Sequence, residues 1–185
     1  MSRPEPRRAD LALSPRDTER ALANLRVVHL ATVSDDGEPY VVPSLFVWAD
    51  GTLQFHGTAA IGHFRRNLMH RPVVCFEACE AGAVYPYGEF ACDLTTSYVS
   101  VIGVGAVRIE EQPDAKAAFF DRFLAKYADP AWDQPKSFYP RLDHVMVYAL
   151  TPERLTGKHI ALPPLSEQWP ARNRTKSPGV QAPQS

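Results

Sequence analysis

The chain has 185 residues, of which 45% are hydrophobic and 10% aromatic, and its formal net charge is −1 at pH 7. That length suits one domain with a real core, and the near-neutral charge exerts no long-range pull on nucleic acid or an anionic membrane. Three cysteines without CxxC spacing argue against a disulfide framework and fit a reducing compartment.

Residues 1–13 are rich in Arg and Pro and read as a flexible N-terminus, with no apolar core of the kind a signal peptide needs. Ser14-Pro15-Arg16-Asp17 opens a helix: Ser14 suits the N-cap, Pro15 the first turn, and Asp17 faces the positive end of the dipole. Leu22 and Leu25 dock it. Val27 to Val33 reads as a strand, Ser34-Asp35-Asp36-Gly37 as a turn, and Pro39 to Trp48 as the return strand. Ala49-Asp50-Gly51-Thr52 is a second turn and Leu53 to Gly57 a third strand. Two Asp-Gly turns between apolar runs signal a meander.

Gly62 to Leu68 reads as a short helix closed before Arg71-Pro72, and Val73 to Ala78 as a fourth strand. Cys75 and Cys79 fall on one side of that strand, which suggests packing, and no His or Cys cluster has metal-ligand spacing. Residues 79–96 read as an irregular aromatic loop able to cover a site. Ser97 to Glu110 is a long fifth strand, and Pro113 to Tyr127 an amphipathic helix carrying Phe119, Phe120, Phe123, Leu124 and Tyr127 on one face. After a loop over 128–142, His144 to Leu150 is a sixth strand, with Leu155 to Ile160 pairing nearby. The ordered domain is expected over 14–162, and the Pro-rich segment 163–185 is expected to be largely disordered.

The longest apolar run, Val99 to Val107, is interrupted by Ser100, Gly103 and Gly105. It falls short of the ~20 residues of a membrane helix. A soluble, cytoplasmic protein with neither membrane nor nucleic acid as partner is expected. Six antiparallel strands with short flanking helices make a mainly β fold, a closed or nearly closed six-stranded split barrel without exposed edges. The tight early turns leave no room for the crossover helices of a parallel sheet.

One stretch concentrates chemistry: Phe55-His56-Gly57-Thr58, a short apolar linker, then Gly62-His63-Phe64-Arg65-Arg66. A helix start offers free backbone N–H groups to a phosphate. Gly62 permits close approach, Thr58 adds a hydroxyl, and His63, Arg65 and Arg66 add charge. The competing reading is a surface helix with solvated arginines. His56, facing opposite to Phe55, is either a half-buried histidine bonded to backbone or a ring contact and proton donor. It is the one catalytic candidate.

Other templates fail. Gly103-Val104-Gly105 lacks a third glycine, since Arg108 stands there, and it lies within a strand. No G-x-S-x-G elbow, P-loop or HExxH is present, and no carboxylate pair suggests glycosidase chemistry.

The pieces His29-Leu30-Ala31-Thr32-Val33, Asp36-Gly37-Glu38-Pro39-Tyr40-Val41-Val42-Pro43, Leu53-Gln54-Phe55-His56-Gly57 and Gly62-His63 come in a telling order. Val74-Cys75-Phe76-Glu77, Tyr98-Val99-Ser100-Val101-Ile102-Gly103 and Leu155-Thr156-Gly157-Lys158 follow. Together they resemble the pyridoxamine 5′-phosphate oxidase superfamily of flavin-nucleotide-binding split barrels, and within it the nitroimidazole-resistance (Nim-like) branch. The resemblance covers residues 14–160.

It implies a homodimer with flavin mononucleotide (FMN) at the subunit interface. The ring would lie along Pro43, Ser44, Leu45 and Phe46. The phosphate would lie near His56, Gly57, Thr58 and the Gly62-His63 helix start. Ser100 and Tyr98 match the strand that reaches the flavin, and Lys158 would approach its N1–O2 edge. The family often has lysine after the Gly-His pair, where this chain has Phe64, so His63 with Arg65 or Arg66 would meet the phosphate.

Relatives of this barrel bind FAD, haem or deazaflavin instead of FMN. The expected function is an FMN-dependent oxidoreductase reducing small, nitro-aromatic-like acceptors, with NAD(P)H as a possible donor. The alternative is a non-catalytic flavin- or haem-binding protein for storage, sensing or protection. Pyridoxamine-phosphate oxidation itself ranks lower, because Trp169-Pro170-Ala171-Arg172 poorly matches the C-terminus of those enzymes.

Overall fold

The computed structural model describes residues 8–168 except 89, 91 and 134–136. Helix α1 (Pro15–Asn24) starts as its cap signal dictates: the Ser14 hydroxyl accepts from the Asp17 N–H at 3.1 Å, with Pro15 in the first turn. Leu22 and Leu25 are buried in the core. Strands β1 (Val27–Val33), β2 (Pro39–Ala49) and β3 (Thr52–Thr58) form the meander. Its second turn needs positive φ at both central residues, and Asp50 (53°) and Gly51 (70°) supply it.

Helix α2 (His63–His70) is capped by Gly62. Strands β4 (Val73–Pro86) and β5 (Leu94–Glu110) follow, then helix α3 (Pro113–Tyr127) and strand β6 (Val145–Ile160). All strand pairs are antiparallel and close into a barrel in the order β1-β2-β3-β6-β5-β4.

Three expectations need correction. Of the expected loop 79–96, residues 79–86 and 94–96 are strand instead: β4 and β5 run on as a hairpin through the pairs Val84↔Thr96, Tyr85↔Thr95 and Pro86↔Leu94, with a register shift between Ala81 and Val84. The β-prone residues there outweighed the glycine and proline that suggested a loop. The sixth strand and the 155–160 piece are one continuous strand, which absorbs Pro152 at a register shift opposite Gly105. A Cβ on Gly105 would stand 2.1 Å from the Thr151 carbonyl oxygen, so only glycine fits the irregularity. Finally, Cys75 and Cys79 share a face as expected, but that face is exposed.

The terminal expectations fall partly outside the described residues, which exclude 1–7 and 169–185, and with them Trp169-Pro170-Ala171-Arg172. Within 1–13, Ala9–Leu11 form a 3-10 turn and Ala12 bridges to Lys158. In the C-terminal segment, Leu165–Glu167 form another. Among the described residues no helix is long and apolar enough to cross a membrane.

The barrel interior holds Leu30, Phe46, Leu53, Phe55, Phe76 and Leu150. Gly103 makes room for it, since a Cβ there would stand 2.4 Å from the Phe76 ring. Helix α3 lies outside, where Phe119, Phe120 and Phe123 cover Val47 and Val147. Tyr127 ties its end down: the hydroxyl accepts from the Phe46 N–H (3.1 Å) and lies 2.7 Å from the carbonyl oxygens of both Arg26 and Phe46.

Beside it the Lys126 ammonium sits 4.1 Å from the centre of the Phe46 ring, buried and without a hydrogen-bond partner among the described residues. Burial, then the Arg26 charge, push its pKa down to about 8. Unfolding therefore takes up a proton between that value and the ordinary lysine range, so this group's contribution makes stability rise with pH across that window. Below it the folded protein bears the full cost of the charge. Lys126→Met is expected to stabilise at pH 7 by about 1 kcal/mol, well under the full shift because the side chain is half in water. Urea denaturation at pH 7 and pH 10 checks this; a variant with the parent's stability difference between the two contradicts it.

Candidate functional site

Where β3 runs out toward α2 the barrel opens into a pocket of about 190 Å³. Alternation along the strands assigns its walls. On β2, Val42 and Ser44 point inward and Pro43 outward at the rim, and all three line the pocket. On β3, Phe55 forms the apolar floor with Tyr148 of β6, stacked at 5.1 Å, and with the edge of Phe64 at 5.8 Å. Leu30 completes the floor. The polar end comprises His56, Gly57, Thr58, Gly62 and Arg65.

Arg65 donates from Nη1 to the Ala59 carbonyl at 2.6 Å, which fixes the linker while leaving the other guanidinium N–H groups available. Its charge partly offsets the effect of burial, which raises the Tyr148 pKa. His56 does face away from Phe55. Its ring meets Phe119, Phe120 and Phe123 at 5.7, 5.4 and 5.1 Å. Its Nδ1 is buried with no hydrogen-bond partner among the described residues, so the bland expectation of a backbone-bonded histidine fails at that atom. Burial lowers its pKa, and the ring is neutral at pH 7.

Of the residues singled out from sequence, Pro43, Ser44, His56, Gly57, Thr58, Gly62 and Arg65 thus meet at one pocket. Leu45, Phe46, His63 and Arg66 adjoin it without lining it: Phe46 is fully buried in the core and Leu45 is exposed on the outer face. Arg66 makes a long 3.4 Å bond to the Ile61 carbonyl, and His63 leans on Tyr40. Tyr98, Ser100 and Lys158 gather elsewhere. Ser100 pairs with Lys158, and Tyr98 with Ile160, at the far end of β6 from Val147, the neighbour of His56.

Sequence reading missed Tyr148, Phe64 and Val42 as pocket walls. Only Val42 carried a signal, its alternation with exposed Val41 and Pro43; Tyr148 lies in a run of buried residues and Phe64 is helical. Phe64, standing where family members often carry lysine, turns inward against Phe55 and Tyr148, the latter at 6.0 Å. Arg65 is the one arginine or lysine among the described residues lining the pocket.

The arrangement suits a flat, largely apolar ligand carrying an anionic end. The floor is aromatic and aliphatic; the rim offers a hydroxyl, a guanidinium and the free N–H groups of the α2 start. At about 190 Å³ it is smaller than the roughly 300–1,000 Å³ of pockets that enclose such ligands.

Solved structures share this fold. A protein assigned to 5-nitroimidazole antibiotic resistance from Bacteroides thetaiotaomicron superposes with a TM-score of 0.66 at 20% identity, covering 80% of this chain and 86% of that one. The flavocytochrome Anf3 from Azotobacter vinelandii gives 0.72 at 21%, covering 87% and 74%. A FAD-binding protein from Mesorhizobium loti gives 0.58 at 21%, covering 81% and 97%. At these identities the likeness is one of fold. No curated protein matches the chain in sequence. The model of the pyridoxamine 5′-phosphate oxidase family matches residues 14–159, the whole barrel with α1, and the chain belongs to that family.

Proposed function

We propose that the chain is a flavin-nucleotide-binding oxidoreductase that takes FMN at this pocket and reduces small, nitro-aromatic-like acceptors. The carrying observation is the pocket's polarity: an aromatic floor of Phe55, Tyr148 and Phe64 beside a rim of Thr58, Gly62 and Arg65. Membership of the family and the flavin-binding neighbours favour a flavin.

The flavin supplies the electron chemistry. The chain's residues bind and orient it: Thr58, Arg65 and the α2 start would hold the phosphate, with His63 and Arg66 adding positive charge nearby. Ser44 and Pro43 would border the ring, and neutral His56 could hold or accept a proton. The pocket's small size in one chain supports a homodimer, in which a second copy brings Tyr98, Ser100 and Lys158 to the ring and excludes water. NAD(P)H is the proposed donor and the cytoplasm the proposed compartment.

The resemblance of the fold to a flavocytochrome favours a second reading, a flavin- or haem-binding protein without rapid turnover. The visible spectrum of the purified protein separates them. Two broad flavin bands, FMN on release and steady NAD(P)H oxidation with a nitro-aromatic compound are expected. A Soret band supports the second reading, with His56 as candidate ligand. A colourless protein that refuses added flavin contradicts both.

A further inference from the structure

Tyr40 lies near the start of β2, against the first residue of α2. Its ring centre stands 4.7 Å from that of His63, with the planes inclined by 53°. The pair is not a piece of core: His63 is exposed and Tyr40 only partly covered. Neither ring lines the pocket, yet His63 directly follows Gly62, which does.

The pair is held in place from below. Buried Asn67 of α2 donates to the Thr32 hydroxyl at 3.0 Å, and that hydroxyl donates to the Tyr40 carbonyl at 3.3 Å. Thr32 is also the ladder partner of Tyr40 across β1 and β2. This chain of bonds couples α2 to the Tyr40 backbone and limits how far the two rings can drift apart. A pre-positioned aromatic surface at the mouth of a polar pocket is a stacking platform. A base stacked on such a ring gains roughly five- to a hundredfold in affinity.

Two charged groups flank it. Arg66 is exposed and, among the described residues, makes a single long bond, to the Ile61 carbonyl, so its guanidinium fork is open to a phosphate. Asp36 lies within electrostatic reach of His63, and the Ser34 hydroxyl bonded to it keeps it ionised. A carboxylate here accepts from ribose hydroxyls and repels a further phosphate.

We propose that Tyr40 and His63 form a platform for the adenine ring of a dinucleotide whose other half enters the pocket, with Arg66 meeting the second phosphate and Asp36 the ribose hydroxyls. This rests on the flavin reading above. The adenosine diphosphate end has two sources: FAD in place of FMN, or a reduced nicotinamide dinucleotide approaching bound FMN.

The test titrates cofactor-free protein with FMN and with FAD, following flavin fluorescence, in the parent, Tyr40→Val and Tyr40→Phe. Valine keeps strand propensity and removes the ring; phenylalanine keeps the ring. If the platform serves the flavin itself, FAD binds about tenfold more tightly than FMN. The advantage should vanish in Tyr40→Val and survive in Tyr40→Phe, with FMN affinity moving less than about twofold.

If FMN and FAD bind alike, the FMN-loaded protein is titrated with NADH and with reduced nicotinamide mononucleotide. A preference for NADH that Tyr40→Val abolishes assigns the platform to the donor. Neither preference, or one that Tyr40→Val leaves intact, overturns the platform while the flavin site stands. Failure to bind either flavin overturns the flavin reading and the platform with it.

Discussion

Lys116→Met is expected to lower stability by about 2–3 kcal/mol, which is roughly 5–10 °C in melting temperature for a domain of this size. Lys116 is 8% exposed. Its ammonium donates to the carbonyls of Leu142 (3.0 Å) and Val145 (2.9 Å). Methionine fills nearly the same volume but leaves both oxygens short of a donor, and that loss outweighs the gain from no longer burying a charge.

The damage should also reach the site. Val145 is the ladder partner of Thr58, and Met146 that of Gly57, so Lys116 anchors the strand end against which the polar rim is built. Calorimetry of the parent and of Lys116→Met and Lys116→Arg checks the first effect. A methionine variant that melts with the parent contradicts it. Arginine, which keeps a donor, should recover part of the loss.

Arg65→Ala is expected to weaken FMN binding about thirtyfold while leaving riboflavin binding within about twofold. A charge-assisted hydrogen bond to a phosphate is worth roughly 1.5–3 kcal/mol, and riboflavin has no phosphate to lose. The comparison matters because Arg65 has a second task, holding the Ala59 carbonyl at 2.6 Å. If the variant acts only by loosening that linker, both ligands weaken together, and the placement of the phosphate fails. Titration of both flavins against parent and variant decides between the two.

The local signals were legible wherever a short segment dictates its own backbone. Ser14 caps α1, Asp50-Gly51 turns β2 into β3, and Gly62 opens α2. The phenylalanines of α3 fall on one face, with Phe119 fully buried. The reading of 79–96 failed over 79–86 and 94–96 because Gly82 and Pro86 signal turns in isolation, whereas the pairing of Val84, Tyr85 and Pro86 with Thr96, Thr95 and Leu94 carries the strands on. Cys75 and Cys79 show the same limit: period two fixes that they share a face, while which face is covered depends on the layers around it.

By itself, then, the sequence determined the strands, the direction of their turns and the polar cluster at the β3–α2 junction. Those features follow from backbone geometry and side-chain chemistry over a few residues. Barrel closure and the floor of the pocket were decided in three dimensions. Phe55 and Tyr148 are far apart in the chain and meet because β3 pairs with β6, and Phe64 of α2 packs against both. Helix packing on the barrel likewise set the His56 ring among three rings of α3 and Tyr40 of β2 against His63 of α2. Contacts of that kind depend on which surfaces the folded layers bring together, and no local pattern of residues encodes them.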